Sequence, residues 1–228
     1  ASDLDLAELD GFYSSFGSEV VSGVQLSFDT PLPNRALLSS LDNRNVALAI
    51  TVYQPAGSIR TATPLASTAL AILVHPSNSV VNLSPNQLQA IFSGQISDWG
   101  EVGGLAGPIE VVSREDGSAT RGAFDQLVLQ GQPPTRLARV QPSGDLMVAY
   151  IAETPNAIGY ALLSDMTPQV RMLSVEGIPP TPVSPYPYVL PVLALSAAEP
   201  DGALRQWLAW AQQVNPDLLP AGFRALTP

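Results

Sequence analysis

The chain has 228 residues, 46% of them hydrophobic and 13% charged, which is enough to bury the core of one large domain or two lobes and excludes intrinsic disorder. It has no cysteine and no lysine, which excludes disulfides, thiol catalysis, thiolate metal sites and a lysine-dependent phosphate loop. The formal net charge of −10 disfavours nucleic acid as a partner, but a small anion can still bind through local dipoles because salt screens the surface field within about 8 Å.

The N-terminal third of the chain predicts a helix followed by strands. Residues 1–16 place leucines and aromatic residues three and four apart, which indicates an amphipathic helix, and residues 21–28 read as a strand. A proline-broken turn and a short helix occupy residues 29–43. The apolar runs 46–53 and 68–75 are typical of buried strands, and no apolar run approaches the roughly 20 residues of a membrane span.

From residue 84 onward, helices and strands alternate. Ser84 followed by Pro85 is a predicted helix start, and further helices are predicted over 119–131, 144–155 and 201–214. Strands are predicted over 108–115, 157–163 and 188–196, and the proline-rich segment 179–191 is interpreted as an ordered crossing. Such alternation favours an α/β fold with mixed, mainly parallel sheets and helices on both faces.

The stretch "VVSREDGSATRGAF", residues 111–124, joins a predicted strand to a predicted helix through a polar turn. A helix start carries unpaired N–H groups and the positive end of the dipole, so it is a suitable place for an anion. Ser118 and Thr120 could equally be ordinary N-capping residues. Glu115 and Asp116 are interpreted as solvated, or as partners of the neighbouring arginines.

Three blocks of the sequence together resemble the phosphate-binding proteins of bacterial ABC importers. They are "VVNLSPNQLQAIFSGQISDWGEVGG" with "PIEVVSREDGSATRGAF" directly after it, "AETPNAIGYALL", and "YPYVLPVLALS". The resemblance implies a two-lobed periplasmic-binding-protein fold of type II. Residues 1–66 and 189–228 would form the first lobe and residues 67–188 the second, with crossings near 62–70 and 185–191.

The resemblance also implies an oxyanion site at the polar turn. Arg114 would supply charge, Ser118 and Thr120 hydroxyls, and Gly117 and Ala119 backbone. Arg114 and Thr120 are expected to lie at a loop–helix junction outside the apolar core. Only Ala119 departs from the family motif, which has glycine there.

The first lobe departs further from the family pattern. The strand and small-residue loop that open the family sequence are not found before the first helix. The second family loop aligns with residues 29–33, where two prolines replace N–H donors. The family's acidic residue falls near Val52. Asp29 and Thr30 are the candidate ligand contacts on this side.

Two functions are therefore expected as alternatives. The first is an exported solute-binding protein, in the periplasm or on the outer face of the cytoplasmic membrane, that captures inorganic phosphate or a similar oxyanion for ABC permease subunits. The second is a non-transporting sensor or interaction module with a degenerate anion site. One histidine and no cysteine disfavour a metal site, and the sequence has no Gly-x-Ser-x-Gly elbow of a serine hydrolase. Neither a cofactor nor enzyme activity is expected.

Overall fold

The computed structural model describes residues 34–183, 185–213 and 219–226, so the predicted helix over 1–16 and the strand after it lie outside the described residues. The α-helices are α1 Asn34–Asp42, α2 Pro85–Ser93, α3 Ala119–Phe124, α4 Gly144–Glu153 and α5 Gly202–Ala211. The strands are β1 Ala49–Thr51, β2 Thr61–Val74, β3 Asn82–Leu83, β4 Glu110–Arg114, β5 Arg139–Gln141, β6 Ala157–Leu162, β7 Arg171–Val175, β8 Val189–Ser196 and β9 Arg224–Ala225. Short 3₁₀ helices cover Trp99–Val102 and Leu163–Asp165, and a π-helical turn covers Asp125–Leu129.

The long strand β2 connects two parts of a mixed sheet. Its first part, from Thr61 to Ala69, pairs antiparallel with β8, and its second part, from Leu70 to Val74, pairs antiparallel with β6. The main strand order is β1-β8-β2-β6-β4-β5. Among the described strands, β4 is parallel to β5 and β6, β3 is parallel to β7, and the remaining pairings are antiparallel.

The apolar pattern of the sequence explains where the core lies. The second half of β2 and all of β6 are buried on both faces, as their continuous apolar runs predict. Helix α2 begins at the predicted cap: Ser84 accepts a hydrogen bond from the Gln87 N–H, and Gln87 accepts one from the Ser84 N–H. Gly94 ends the helix in the left-handed region at φ 82°.

Several elements differ from the sequence-based expectation. The run 46–53 forms only the short strand β1, whereas β2 begins at Thr61, ahead of the predicted 68–75. The expected helix 119–131 keeps α-helical bonding only to Phe124 and continues as the π-helical turn to Leu129.

Within the ranges that the structure describes, no helix has the length and apolar character to cross a membrane.

Candidate functional site

The polar turn places a helix start next to a tight reversal of the chain. Strand β4 ends at Arg114. Gly117 adopts φ 91°, a backbone conformation that residues other than glycine rarely adopt. Ser118 is then the N-cap of α3, and its hydroxyl accepts a hydrogen bond from the Arg121 N–H at 3.1 Å. The capping interpretation of Ser118 is therefore confirmed, and the positive end of the helix dipole lies at this turn.

Arg114 is fully buried beneath the turn, and its guanidinium is held in place by other polar groups. Its Nε and Nη2 donate to the two carboxylate oxygens of Glu115 at 2.9 and 3.1 Å, and Nη2 also donates to the Pro142 carbonyl at 3.4 Å. Thr120 is only 1% exposed. The expectation that both residues lie outside the core is wrong, because α3 packs against the end of β4 and encloses them.

Tyr160 on β6 contacts both β4 and α3, the two elements that the polar turn connects. Its hydroxyl accepts the Arg114 N–H at 3.2 Å and lies 3.0 Å from Ser113 Oγ. Its ring stacks on Phe124 of α3 with the centroids 3.8 Å apart. Burial raises the pKa of Tyr160 to about 12, although the hydrogen bonds from Arg114 and Ser113 offset part of this effect, so the phenol is neutral at physiological pH.

Helix α1 lies opposite the turn. The Arg35 N–H donates to the Gly117 carbonyl at 3.4 Å, which joins the first turn of α1 to the reversal before α3. Asn34 is buried and accepts a hydrogen bond from the Thr51 hydroxyl at 2.8 Å, which fixes α1 against β1. The ring of Tyr53 packs directly on Gly122, where a Cβ would lie 2.4 Å from Tyr53 Cε1.

A cleft of about 410 Å³ lies between α1 and α3, and we call it the α1–α3 cleft. Three parts of the chain line it: α1, the segment from Tyr53 to Arg60, and the polar turn with α3. The described lining residues are Asn34, Arg35, Leu38, Ser39, Asp42, Tyr53, Pro55, Arg60, Asp116, Gly117, Ser118, Arg121, Gly122 and Asp125.

The arginines of the cleft differ in their partners. Arg121 donates through Nε to both oxygens of Asp125 at 2.8 and 2.9 Å, and its Nη1 lies 3.7 Å from Asp116. Arg60 binds Asp42 through two nitrogens, with Nε at 2.8 Å. Among the described residues, the exposed Arg35 guanidinium has no hydrogen-bond or ion-pair partner.

The pKa values of Arg121 and Asp125 depend on each other, because the two side chains form an ion pair. Burial lowers the pKa of Arg121, but the hydrogen bond and charge of Asp125 outweigh this effect and the pKa is raised overall. Burial raises the pKa of Asp125, and the hydrogen bond from Arg121 offsets only part of that shift. Arg121 therefore stays charged where it lines the cleft beside the turn.

The structure separates the candidate site residues into groups. Gly117 and Ser118 line the cleft, whereas Arg114, Ala119 and Thr120 lie buried directly behind it. Asp29 and Thr30 lie outside the described residues. Val52, where the family's acidic residue aligns, is 2% exposed and belongs to the apolar core.

Sequence reasoning missed the contribution of α1 and of residues 53–60 to the cleft. Arg35, Tyr53 and Arg60 belong to no motif that the sequence analysis singled out, although Arg35 lies within the short helix expected in residues 29–43. The interpretation of Glu115 and Asp116 as arginine partners is confirmed by their contacts with Arg114 and Arg121.

A family model for the PBP superfamily domain matches residues 39–211, and the chain belongs to that superfamily. This confirms the periplasmic-binding-protein class that the sequence motifs indicated.

The curated relatives narrow the comparison within that superfamily. The chain is 36% identical over 117 residues to the phosphate-binding protein PstS of Bacillus subtilis, an alignment that covers 51% of this chain and 39% of that protein. It is 30% identical over 128 residues to PstS of Pseudomonas aeruginosa, covering 50% of this chain and 39% of that protein. The chain thus matches about two fifths of the length of these relatives. Their names describe phosphate-binding proteins.

Solved structures agree with the two-lobed α/β fold. A Clostridium perfringens protein solved with bound phosphate superposes with a TM-score of 0.85 at 21% identity, covering 100% of this chain and 98% of that one. An ABC-type phosphate transport receptor from Vibrio cholerae superposes with a TM-score of 0.77 at 24% identity, covering 92% and 91%. At these identities the likeness establishes the fold.

Proposed function

We propose that the chain is an extracytoplasmic solute-binding protein that captures an oxyanion, phosphate in the first instance, and delivers it to ABC permease subunits. The anion would lie at the start of α3. Gly117 and Ser118 would contact it from one side of the cleft, with Arg114, Ala119 and Thr120 buried behind them. Asp29 and Thr30 would complete the site from the other side.

One observation carries this proposal: the N-terminus of α3 opens on a cleft with buried arginine charge behind it. Ser118 is 3% exposed and Arg114 is fully buried, so the polar groups next to the proposed anion position are themselves shielded from bulk water. Charge-assisted hydrogen bonds are stronger in such surroundings, and a helix start adds N–H donors and a favourable dipole. The names of the curated relatives support phosphate as the first anion to test.

The division into lobes is part of the same proposal. Residues 1–66 and 189–228 would form one lobe and residues 67–188 the other. The exchange of partners along β2 supports this division, because β8 pairs up to Ala69 and β6 pairs from Leu70 onward. The α1–α3 cleft would then lie between the lobes, which is where periplasmic-binding folds hold their ligands.

Two substitutions of equal size test the proposed anion position. Ser118→Asn and Ser118→Asp both supply good N-caps, so the helix should keep its stability in each. Only the aspartate places a carboxylate against the anion. Titration calorimetry with inorganic phosphate should show binding to the wild-type protein and a loss of at least tenfold in Ser118→Asp relative to Ser118→Asn. Equal phosphate affinity in the two variants would place the anion elsewhere.

One observation favours the alternative of a sensor or interaction module. Arg60 and Arg121 are already paired with Asp42 and Asp125, so an anion that used these arginines would have to compete with internal carboxylates. If the wild-type protein binds neither phosphate nor sulfate nor a carboxylate in the same titrations, the module becomes the better account of this chain.

A further inference from the structure

The α1–α3 cleft is larger than a phosphate ion requires. Its volume of about 410 Å³ falls in the range of roughly 300–1,000 Å³ that accepts whole small organic molecules. The start of α3 occupies only one part of the lining. The remaining space faces α1 and the segment from Tyr53 to Arg60.

The polar lining away from the turn includes two carboxylates, Asp42 and Asp125, beside arginine, asparagine and serine side chains. The Asp42 side chain is 52% exposed and that of Asp125 is 40% exposed, so both retain accessible oxygens although each already accepts hydrogen bonds from an arginine. A carboxylate accepts hydrogen bonds and donates none, so its natural ligand partners are hydroxyl or amine donors. These groups would repel a fully ionised phosphate but would bind the hydroxyls of an attached alcohol.

The cleft also has an aromatic wall and a balanced charge. Tyr53 packs on the bare backbone of Gly122, next to the polar turn, and so brings an aromatic ring close to any anion bound there. Among the described lining residues, Arg35, Arg60 and Arg121 are matched by three aspartates. Such a lining suits a ligand that is anionic at one end and rich in hydroxyls at the other.

We infer that the ligand of this cleft is a phosphate monoester of a small polyhydroxy alcohol, such as a glycerol phosphate or a sugar phosphate. This inference rests on the proposed anion position at α3. The phosphoryl group would lie at Gly117 and Ser118, with Arg35 as a further cation, the carbon skeleton would pack against Tyr53, and the hydroxyls would donate to Asp42.

Titration calorimetry with matched probes tests the inference on the unmodified protein. The probes are inorganic phosphate, glycerol 3-phosphate, glucose 6-phosphate, glycerol and glucose. We expect at least one monoester to bind tenfold or more tightly than inorganic phosphate, and the free alcohols to show no binding. A protein that binds inorganic phosphate as well as or better than both monoesters overturns the inference and leaves the proposed function intact. A protein that binds none of the probes overturns both.

A substitution of Asp42 in α1 tests whether this carboxylate accepts hydrogen bonds from the ligand hydroxyls. Asp42→Asn keeps an acceptor for Arg60 but weakens the carboxylate acceptor for ligand hydroxyls. It should lower monoester affinity by about tenfold and change inorganic phosphate affinity by less than twofold. Glu199→Gln, an exposed carboxylate outside the cleft, is the matched control and should change neither. If Asp42→Asn lowered the affinities for the monoester and for inorganic phosphate equally, Asp42 would affect binding of the phosphoryl group and not of the alcohol.

Discussion

At the scale of single residues, Arg114 combines a structural and a proposed binding role. Its guanidinium is fully buried, yet the charge is balanced by two hydrogen bonds to Glu115, whose side chain is 25% exposed. Removal of one partner from a buried pair leaves the other without compensation. The stability and the ligand affinity of this protein should therefore both depend on Arg114.

Arg114→Ala should weaken phosphate binding by about tenfold to a few hundredfold, because a hydrogen bond to a charged group contributes about 1.5–3 kcal/mol. It should also lower the free energy of unfolding by about 3 kcal/mol through the unpaired Glu115. Calorimetric titration and urea unfolding measure the two effects. Arg139→Ala is the control, since this arginine is 57% exposed on β5 and should change neither value much. Phosphate affinity that survives Arg114→Ala would contradict the proposed site.

The sequence predicted part of the site for a physical reason. The turn from Gly117 to Arg121 is one continuous segment, so a glycine, a cap and a helix can be read directly from adjacent residues. The positions of Arg35 and Tyr53 in the cleft could not be predicted from the sequence. They depend on how α1 and the segment after β1 pack against α3. The burial of Arg114 also depends on packing, and it contradicted the expectation of a site outside the core.

At the scale of elements, Tyr160 connects β6 to β4 and α3. Tyr160→Phe keeps the stacking on Phe124 but removes the acceptor of the buried Arg114 N–H. A buried donor left unsatisfied costs about 1–3 kcal/mol, so the urea midpoint should fall by a corresponding amount. Tyr150→Phe is the matched control, because its hydroxyl bonds to Glu110 at the partly exposed edge of the sheet. An unchanged unfolding free energy in Tyr160→Phe would show that another group accepts the Arg114 N–H.

Alkaline pH should destabilise the protein through buried tyrosines. Burial raises the pKa of Tyr160 to about 12 and that of Tyr188 to about 12, and the charge of Glu176 adds to the shift of Tyr188. In the unfolded chain a tyrosine ionises near pH 10. Between these values the folded state holds more protons, so the free energy of unfolding should fall as pH rises from about 10 to about 12 and be insensitive to these groups below pH 10. Urea unfolding across this range, with tyrosinate absorbance as a monitor, checks the sign; a constant or rising value would contradict it.

Element prediction succeeded where local signals were strong. Ser84 followed by Pro85 predicted the start of α2, and the apolar segments predicted β4, β6 and β8. The two-residue β3 and the exposed β5 carry no continuous apolar run, so the sequence did not indicate them. The long β2 begins in a polar segment that is ordered by pairing with β8, a long-range contact that local patterns do not encode.

At the scale of the whole molecule, the contact between Tyr53 and Gly122 would limit how closely the two proposed lobes approach. Gly122→Ala would place a Cβ 2.4 Å from the ring, so closure should be hindered. Overpacking costs about 1–3 kcal/mol, and phosphate affinity should fall by about tenfold. Small-angle scattering should show compaction with phosphate in the wild type and less in the variant.

Gly107→Ala is the control for this substitution, because its Cβ would find no atom closer than 4.0 Å. It should close and bind as the wild type does. Full compaction and unchanged affinity in Gly122→Ala would show that the Tyr53 contact does not set the closed arrangement.

A crystal structure grown with inorganic phosphate would locate the bound anion. We expect phosphate density in the α1–α3 cleft, within hydrogen-bonding distance of the Ser118 hydroxyl and of the N–H groups in the first turn of α3. Phosphate bound at another place, with the start of α3 facing only protein and solvent, would contradict this expectation.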